Sequence, residues 1–197
     1  MTRKPTDIRQ EEIKTAVLSI INREGLKKLS TKNMAKEVGI SEGAIFRHFH
    51  SKKEIILAIM DDVMENLVEE LRKIALKKTS PVKRMFELLC KTVTYLVENK
   101  GITMLLFSEA SYNNDKDLLE KLNNIFDTQT RLISKIISDG IVSGIWDESV
   151  AVEDVATLYM GIPITLNIEL ILNNNDFITE NFCKKMNNLL LRILKKH

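Results

Sequence analysis

Three residues that can bind an anion stand where helices are predicted to begin. Thr31 and Lys32 open one short segment of helical period, and Lys52 opens a longer one. Hydroxyl, amide and ammonium groups at a helix start can all bind phosphate. Residues 1–53 carry 12 Lys and Arg side chains against 6 Asp and Glu, whereas the remainder sums to −4. This basic N-terminal quarter indicates an anionic partner, either nucleic acid or a membrane surface.

The sequence offers little for catalysis or metal binding. It has no nucleophile with an adjacent base, no glycine-rich phosphate loop and no H-E-x-x-H motif, and it contains 3 histidines. His48 and His50 have no cysteine or carboxylate cluster at ligand spacing nearby, so a zinc or iron site is not predicted. We expect a protein that is not an enzyme and that needs no cofactor.

Several features predict a cytoplasmic protein. The 2 cysteines, Cys90 and Cys183, fall in apolar helical patterns, which favours reduced thiols over a disulfide framework. The first residues lead into a charged helix without the apolar region of a signal peptide. The most apolar stretch, Leu158 to Leu172, is too short to span a bilayer and contains polar residues. Export and membrane insertion are therefore not expected.

Hydrophobic periodicity predicts an all-helical chain. The 7 glycines and 3 prolines lie mostly between segments of helical period, and no alternating strand pattern recurs. About nine helices are predicted: three short ones before residue 50, a long connector from Ser51 to Lys78, and five more between Pro81 and the C-terminus. The fourth of these opens with the capping box Ser51-Lys52-Lys53-Glu54.

The second and third short helices form a helix-turn-helix arrangement, whose second helix can enter the major groove of DNA. Gly39 can adopt the positive φ that the turn between them requires. Ser41 can satisfy free amides at the start of the second of these helices, and Gly43 lets it approach a groove closely. Ile45 and Phe49 lie four residues apart and are predicted to be core.

The stretch Ile13 to Met60 resembles the DNA-binding domain of the TetR family of bacterial transcriptional repressors. The matching residues are Ala16, Gly25, the run LSTKNMAKEVGIS at 29–41 and the run GAIFRHFHSKKEI at 43–55. The resemblance implies a helix-turn-helix DNA-binding domain over residues 1–53 and an effector-binding and dimerisation domain over residues 54–197.

The resemblance also implies roles for individual residues. Thr31, Lys32 and Lys52 match positions that contact the DNA backbone. The positions expected to face the bases are Glu42, Gly43, Ala44, Arg47 and His48, and Ser41 and Phe46 complete the predicted DNA-binding set.

Two positions depart from the family pattern. Position 46 is usually tyrosine, whose hydroxyl reaches a phosphate, and Phe46 cannot donate that hydrogen bond. Position 42 is often lysine or another long polar residue, whereas here it is glutamate. The carboxylate of Glu42 either accepts from cytosine N4 or favours the positive end of the helix.

The resemblance to the TetR family also implies an effector pocket among the fourth to eighth helices. Its candidate lining residues are mostly apolar, which favours a small hydrophobic or amphipathic ligand, although Met and aromatic residues at helical spacing are also typical of ordinary core. These candidates are Met64, Phe86, Leu89, Cys90, Tyr95, Met104, Phe107, Phe126 and Tyr159.

The last two helices are more apolar than one buried face requires. Burial of the excess against a twofold mate is the economical interpretation, and TetR family members pair through their last two helices in a four-helix bundle. We therefore predict a homodimer.

These features predict a cytoplasmic, homodimeric TetR-like repressor that binds a palindromic operator and is released by a small ligand. One alternative is a DNA-associated protein whose C-terminal body docks a protein partner rather than a metabolite. That alternative predicts no ligand effect on DNA affinity. A third hypothesis, an enzyme that uses the helical body as its pocket, is disfavoured by the missing catalytic groups.

Overall fold

The computed structural model describes residues 5–112, 114–172 and 179–195, and this part of the chain is helical without β-strands, which confirms the predicted class. The helices are α1 Thr6–Glu24, α2 Thr31–Val38, α3 Glu42–Ile45, α4 from Lys52 to Ala75, α5 Pro81–Glu98, α6 Ile102–Tyr112, α7 Lys116–Val142, α8 Val152–Leu172 and α9 Thr179–Leu194. The loop predicted at Asn173–Asp176 lies outside the described residues.

The chain divides into two compact units. The first comprises Met1–Asp62 and Asn99–Leu122, and the second comprises Val63–Glu98 and Asn123–His197. The divisions fall inside α4 and inside α7. The first unit therefore includes α6 together with the three short N-terminal helices, whereas the sequence analysis ended the DNA-binding domain at residue 53.

The first unit has a core built on α1. The apolar stripe predicted for this helix is buried, and its members are Ile13, Ala16, Val17, Ile20 and Ile21. Lys14 on the same helix is also buried, and its Nζ lies 2.6 Å from Asp62 Oδ2 and 2.6 Å from Glu11 Oε1. Burial works to lower the pKa of Lys14, but the hydrogen bonds from its ammonium to these two carboxylates raise it overall. The buried charge is thus paired, and the pairing offsets part of the desolvation free energy of the ammonium group.

Helix α4 changes its winding along its length. It is α-helical over Lys52–Val63, π-helical over Met64–Val68 and α-helical again over Glu69–Ala75. The apolar face predicted for this helix is buried except for its last member, which is half-buried; its members are Ile56, Met60, Val63, Leu67, Leu71 and Ile74. The π segment adds a buried Val68 beside Leu67. Apolar spacing did not reveal this segment, because a π turn shifts the helical register by a single residue.

The second unit is organised around a buried arginine and a buried tryptophan. Arg84 Nη1 donates to the Ala75 carbonyl at 2.7 Å and to Asp139 Oδ2 at 2.8 Å, which ties the end of α4 to α5 and α7. Partial burial works to raise the pKa of Asp139, but hydrogen bonds from Arg84 and Lys135 lower it overall. Trp146 is buried against Gly140 of α7.

Helix α8 is longer than the apolar stretch that the sequence analysis considered. Its 21 residues, Val152–Leu172, are long and apolar enough to cross a membrane by length and composition alone. The stretch from Leu158 to Leu172 was predicted to be too short to span a bilayer. The complete helix begins before Leu158, so this prediction does not hold for the whole of α8. Core helices of folded proteins pass the same test, and eight residues of α8 are buried within the second unit.

Candidate nucleic-acid interface

The turn between α2 and α3 has the geometry that the sequence predicted. Ser30 Oγ accepts from the Asn33 N–H at 3.2 Å and caps α2. Gly39 ends α2 in the left-handed conformation, with φ 73° and ψ 35°. A residue with a Cβ would be strained there, so this glycine sets the direction in which α3 leaves the turn.

Helix α3 is shorter than predicted. It covers Glu42–Ile45 and continues as turns to His48, rather than as a helix to Phe49. Ser41 stands at its N-cap, but its side chain makes no capping hydrogen bond, so the predicted capping role of Ser41 is wrong. The backbone replaces it in part, because the Ala44 N–H donates to the Ser41 carbonyl at 2.9 Å.

The two faces of this segment separate as predicted. Ile45 and Phe49 are buried in the first unit. The opposite face carries Glu42, Gly43, Phe46 and Arg47 as exposed residues and Ala44 and His48 as half-buried ones. A Cβ on Gly43 would meet nothing within 4 Å, so the surface there is open to a close approach.

The two residues that depart from the family pattern have distinct surroundings. The ring of Phe46 is 46% exposed, which leaves an apolar edge on an otherwise polar surface. Thr31 Oγ1 donates to Glu42 Oε1 at 2.5 Å, so the carboxylate binds a neighbouring side chain at the start of α3. This hydrogen bond is a third arrangement for Glu42, beside the base contact and the helix-end effect that were predicted.

The start of α4 is capped as predicted. Ser51 Oγ accepts from the Glu54 N–H at 3.1 Å, and Glu54 Oε2 accepts from the His50 N–H at 2.7 Å. Lys52 follows at the first position of the helix, and its Nζ lies 2.7 Å from Glu109 Oε1 of α6. Glu109 is not among the predicted site residues, because nothing in the local sequence pattern indicates that α6 lies beside the start of α4.

An exposed ion pair links α1 to α2. Two guanidinium nitrogens of Arg23 each donate to one Glu37 carboxylate oxygen at 2.9 Å, and Ser19 Oγ donates to Glu37 Oε1 at 3.0 Å. The hydrogen bonds from Arg23 and then Ser19 lower the pKa of Glu37 to about 2.

We therefore expect Glu37 to titrate near pH 2 in the folded protein, measured by NMR of its side-chain carboxyl carbon. Because the pKa is lower in the folded state, the pair stabilises the fold above the ordinary glutamate pKa, and this stabilisation is lost as the pH falls through the folded pKa. Arg23→Gln should return the Glu37 pKa close to its ordinary value. Glu24→Gln, which removes the other carboxylate bound by Arg23, should leave it low. A Glu37 pKa near 4.5 in the unmodified protein would contradict the assignment.

The predicted effector residues are divided between the two units. Met104 and Phe107 belong to α6 of the first unit, and both are exposed, Phe107 by 63%. The others lie in the second unit, where Leu89 and Tyr159 are core and Phe126 is exposed, while four are half-buried, namely Met64, Phe86, Cys90 and Tyr95.

Cys90 of this set is a half-buried thiol, and Cys183 of α9 is a buried one; burial raises the pKa of both. The Tyr159 hydroxyl is buried with no hydrogen-bond partner of good geometry among the described residues, and burial raises its pKa as well. Both cysteines are free thiols, as the sequence predicted.

The described residues contain no group of three or more His, Cys, Asp or Glu side chains arranged to hold a metal ion. His48 is half-buried beside α1, where Gln10 Nε2 donates to its backbone carbonyl at 2.9 Å.

An apolar surface covers one side of α8 and α9. Exposed apolar side chains recur at helical spacing along both helices, at Ile164, Ile168 and Ile171 and at Leu189 and Ile193. Beside them lies a groove of about 490 Å³, lined by Leu158, Gly161, Ile162, Thr165, Leu166, Glu169, Phe182, Lys185 and Met186.

Comparison with known proteins gives both sequence and structural relatives. The pattern that defines "Bacterial regulatory proteins, tetR family" matches residues 15–59. The nucleoid occlusion factor SlmA of Aliivibrio fischeri is 29% identical over 126 residues, which cover 64% of this chain and 63% of that protein.

Among solved structures, the ketosteroid transcriptional regulator KstR2 of Mycobacterium tuberculosis aligns with a TM-score of 0.81 at 16% identity, over 96% of each chain. The transcriptional regulator FadR of Bacillus subtilis, solved in complex with stearoyl-CoA, aligns with a TM-score of 0.71 at 19% identity, over 92% of this chain and 97% of that one. At these identities the structural alignments establish the fold.

Proposed function

We propose, from the match of residues 15–59 to the tetR family of bacterial regulatory proteins, that this chain is a cytoplasmic, homodimeric transcriptional repressor of that family. In this proposal residues 1–53 bind a palindromic operator, and residues 54–197 bind a small hydrophobic or amphipathic effector and form the dimer. The family consists of transcriptional regulators, and the proposal includes no catalytic step.

The observation that carries the proposal is the exposed face of the segment from Ser41 to His48. It combines an open surface at Gly43 with an exposed guanidinium at Arg47, while its opposite face is anchored by Ile45 and Phe49. A short rigid segment of this kind can enter a major groove and present hydrogen-bonding groups to base edges. Thr31, Lys32 and Lys52 then bind the flanking phosphates, and Glu42, Ala44 and Phe46 complete the contact surface.

The first test is binding of the purified protein to a fluorescein-labelled duplex from the region upstream of its own gene. Fluorescence anisotropy near physiological salt is measured with an excess of scrambled duplex. Binding that survives this competitor, with two protomers per site, supports the proposal. Binding that the competitor abolishes contradicts sequence-specific recognition at that site.

Two substitutions separate base recognition from phosphate binding. Arg47→Ala should weaken binding to the operator by about 1–3 kcal/mol and relax specificity at one base-pair position in each half-site. Lys52→Ala should weaken binding to all duplexes alike and reduce the slope of log affinity against log salt by about 1 for each protomer. Anisotropy titrations with operator and scrambled duplexes over a range of salt concentrations measure both quantities. The same response from both variants would contradict these assignments.

The apolar surface of α8 and α9 supports the proposed dimer. Two recognition segments must stand about 34–36 Å apart to enter successive major grooves, and a twofold pairing fixes such a spacing. The groove beside Gly161 carries Glu169 and Lys185, so a second copy could cover apolar area and pair these opposite charges. We propose that the last two helices of each copy pack together in a four-helix bundle.

The effector remains a proposal based on residue chemistry. The candidate set of Met64, Phe86, Leu89, Cys90, Tyr95, Met104, Phe107, Phe126 and Tyr159 is mostly apolar, which suits a hydrophobic or amphipathic molecule. The FadR structure contains stearoyl-CoA, an amphipathic acyl thioester, so acyl-CoA esters are a reasonable first screen. Release of the labelled operator by such a molecule, with no effect of coenzyme A alone, would support the proposal.

A second candidate function is favoured by the relatives named nucleoid occlusion factors. In that case the C-terminal body docks a protein partner rather than a metabolite. The matched region spans less than two thirds of those relatives. This candidate predicts that no small molecule changes the DNA affinity and that the surface of the C-terminal body captures a protein partner, so the effector screen separates the two functions.

A further inference from the structure

Lys52, the proposed phosphate ligand at the start of α4, already binds an anionic group within its own chain. Its Nζ lies 2.7 Å from Glu109 Oε1. The side chain of Lys52 is 39% exposed and that of Glu109 is 16% exposed, so the pair is partly shielded from solvent. Partial shielding strengthens an ion pair relative to one in open water.

Three further ion pairs hold the segment that follows α6 to α4. Lys53 Nζ lies 2.6 Å from Asp117 Oδ2, and Lys121 pairs with Asp61. Lys53 also lies 2.9 Å from Asp115 Oδ1, a carboxylate oxygen that accepts from the backbone N–H groups of Asp117 and Leu118. These contacts do not involve Lys52 or Glu109, so loss of the Lys52–Glu109 pair leaves the start of α7 attached to α4.

A phosphate on DNA and the Glu109 carboxylate cannot both approach Lys52 without cost. Both groups are negative, and at hydrogen-bonding distance from one ammonium group they would lie close enough to repel each other. Binding of Lys52 to phosphate therefore requires that its ion pair with Glu109 weaken or break.

We infer that Glu109 competes with DNA phosphate for Lys52 and so acts as a negative determinant of DNA affinity. This inference rests on the proposed function, because that function assigns Lys52 to the DNA backbone. The same arrangement recurs at Thr31, whose hydroxyl is held by the Glu42 carboxylate. Two of the three proposed phosphate ligands are thus held by carboxylates in the DNA-free protein.

The competition couples DNA binding to the Lys52–Glu109 ion pair, and this coupling can be used for regulation. By linkage, DNA binding weakens the contact between α6 and the start of α4, and any event that strengthens this contact weakens DNA binding. The coupling needs no change outside the first unit, since Lys52 and Glu109 both belong to it.

The test compares Glu109→Gln with the unmodified protein in anisotropy titrations against the labelled upstream duplex and a scrambled duplex of equal length. We expect Glu109→Gln to tighten binding to both duplexes by about two- to fivefold, the range that loss of one competing surface ion pair allows. Glu109→Ala, which removes the acceptor completely, should act in the same direction.

Two matched comparisons exclude simpler explanations. Asp117→Asn makes the same change in net charge in the same unit, on α7 rather than α6, and acts on Lys53, so its effect measures the general benefit of losing one negative charge. In a Lys52→Gln background, Glu109→Gln should change the DNA affinity by no more than Asp117→Asn does. The melting temperature of Glu109→Gln should not rise, because an ion pair has been lost while DNA affinity has increased.

The outcomes separate the inference from the proposed function. If the unmodified protein loses all binding to scrambled competitor, sequence-specific regulation is contradicted, but the Glu109 effect is still measured on the scrambled duplex. Equal or weaker DNA binding by both Glu109 variants, or an effect matched by Asp117→Asn, overturns the competition. Absence of duplex binding even at low salt overturns both.

Discussion

Ile168→Glu is expected to leave the protein monomeric and to weaken its binding to a two-half-site operator by at least about 100-fold. Ile168 is 47% exposed in the single chain and lies on the apolar side of α8, one turn from Ile164. A carboxylate at this position would have to be buried without a partner if a second copy covered the surface. Loss of the dimer also removes the high effective concentration of the second recognition segment.

Light scattering coupled to gel filtration measures whether Ile168→Glu is monomeric. The unmodified protein should elute with about twice the chain mass of 22.6 kDa, and Ile168→Glu should elute with the mass of one chain. Val142→Glu provides the control, because Val142 is an exposed apolar residue of the second unit that lies on α7 rather than on α8 or α9. It should leave both the mass and the operator affinity unchanged. A dimeric Ile168→Glu protein with full operator affinity would place the dimer contact elsewhere.

The helices were largely predictable because each has a short-range signal. The stripe Ile13 to Ile21 of α1 and the glycine at position 39 are set by helical period and by backbone stereochemistry, which act within a few residues. The π segment at Met64–Val68 and the early end of α3 at Ile45 were not predicted. Local propensity differs little between these alternatives, so packing against other helices decides between them.

The candidate site was predictable to the same extent as the helices: its residues could be identified, but not their long-range contacts. The motif identifies which residues of α2 to α4 face outward, since the side of a helix on which a residue lies follows from its spacing along the sequence. The partners of those residues were not predictable. Glu109 is separated from Lys52 by 57 positions, and Glu42 from Thr31 by 11, so each contact depends on how helices pack. The predicted effector residues show the same limit, because periodicity cannot distinguish a buried Leu89 that fills core from one that lines a pocket.

Gly140→Ala is expected to lower the free energy of unfolding of the second unit by about 1–3 kcal/mol. An added Cβ at this position would overlap the Trp146 ring, whose atoms Cε3, Cζ3 and Cδ2 are the nearest. The ring is buried, and the Gly140 carbonyl accepts from the Trp146 N–H at 3.2 Å, so the tryptophan cannot move away freely. The ordinary gain of about 0.5–1 kcal/mol from alanine in a helix is smaller than this overlap cost. Urea unfolding followed by the fluorescence of Trp146, the only tryptophan of the chain, measures the change.

Gly161→Ala is the matched control and should have the opposite sign. Gly161 is also helical, and a Cβ there would meet nothing within 4 Å, so alanine should stabilise the unit by about 0.5–1 kcal/mol. Both substitutions are best compared in the Ile168→Glu background, where no second copy covers Gly161. Trp146→Leu provides the double-mutant cycle, since removal of the ring should convert Gly140→Ala from destabilising to neutral or stabilising, as followed by circular dichroism. Destabilisation by Gly140→Ala that persists without the ring would show that helix α7 itself, rather than its contact with Trp146, requires glycine.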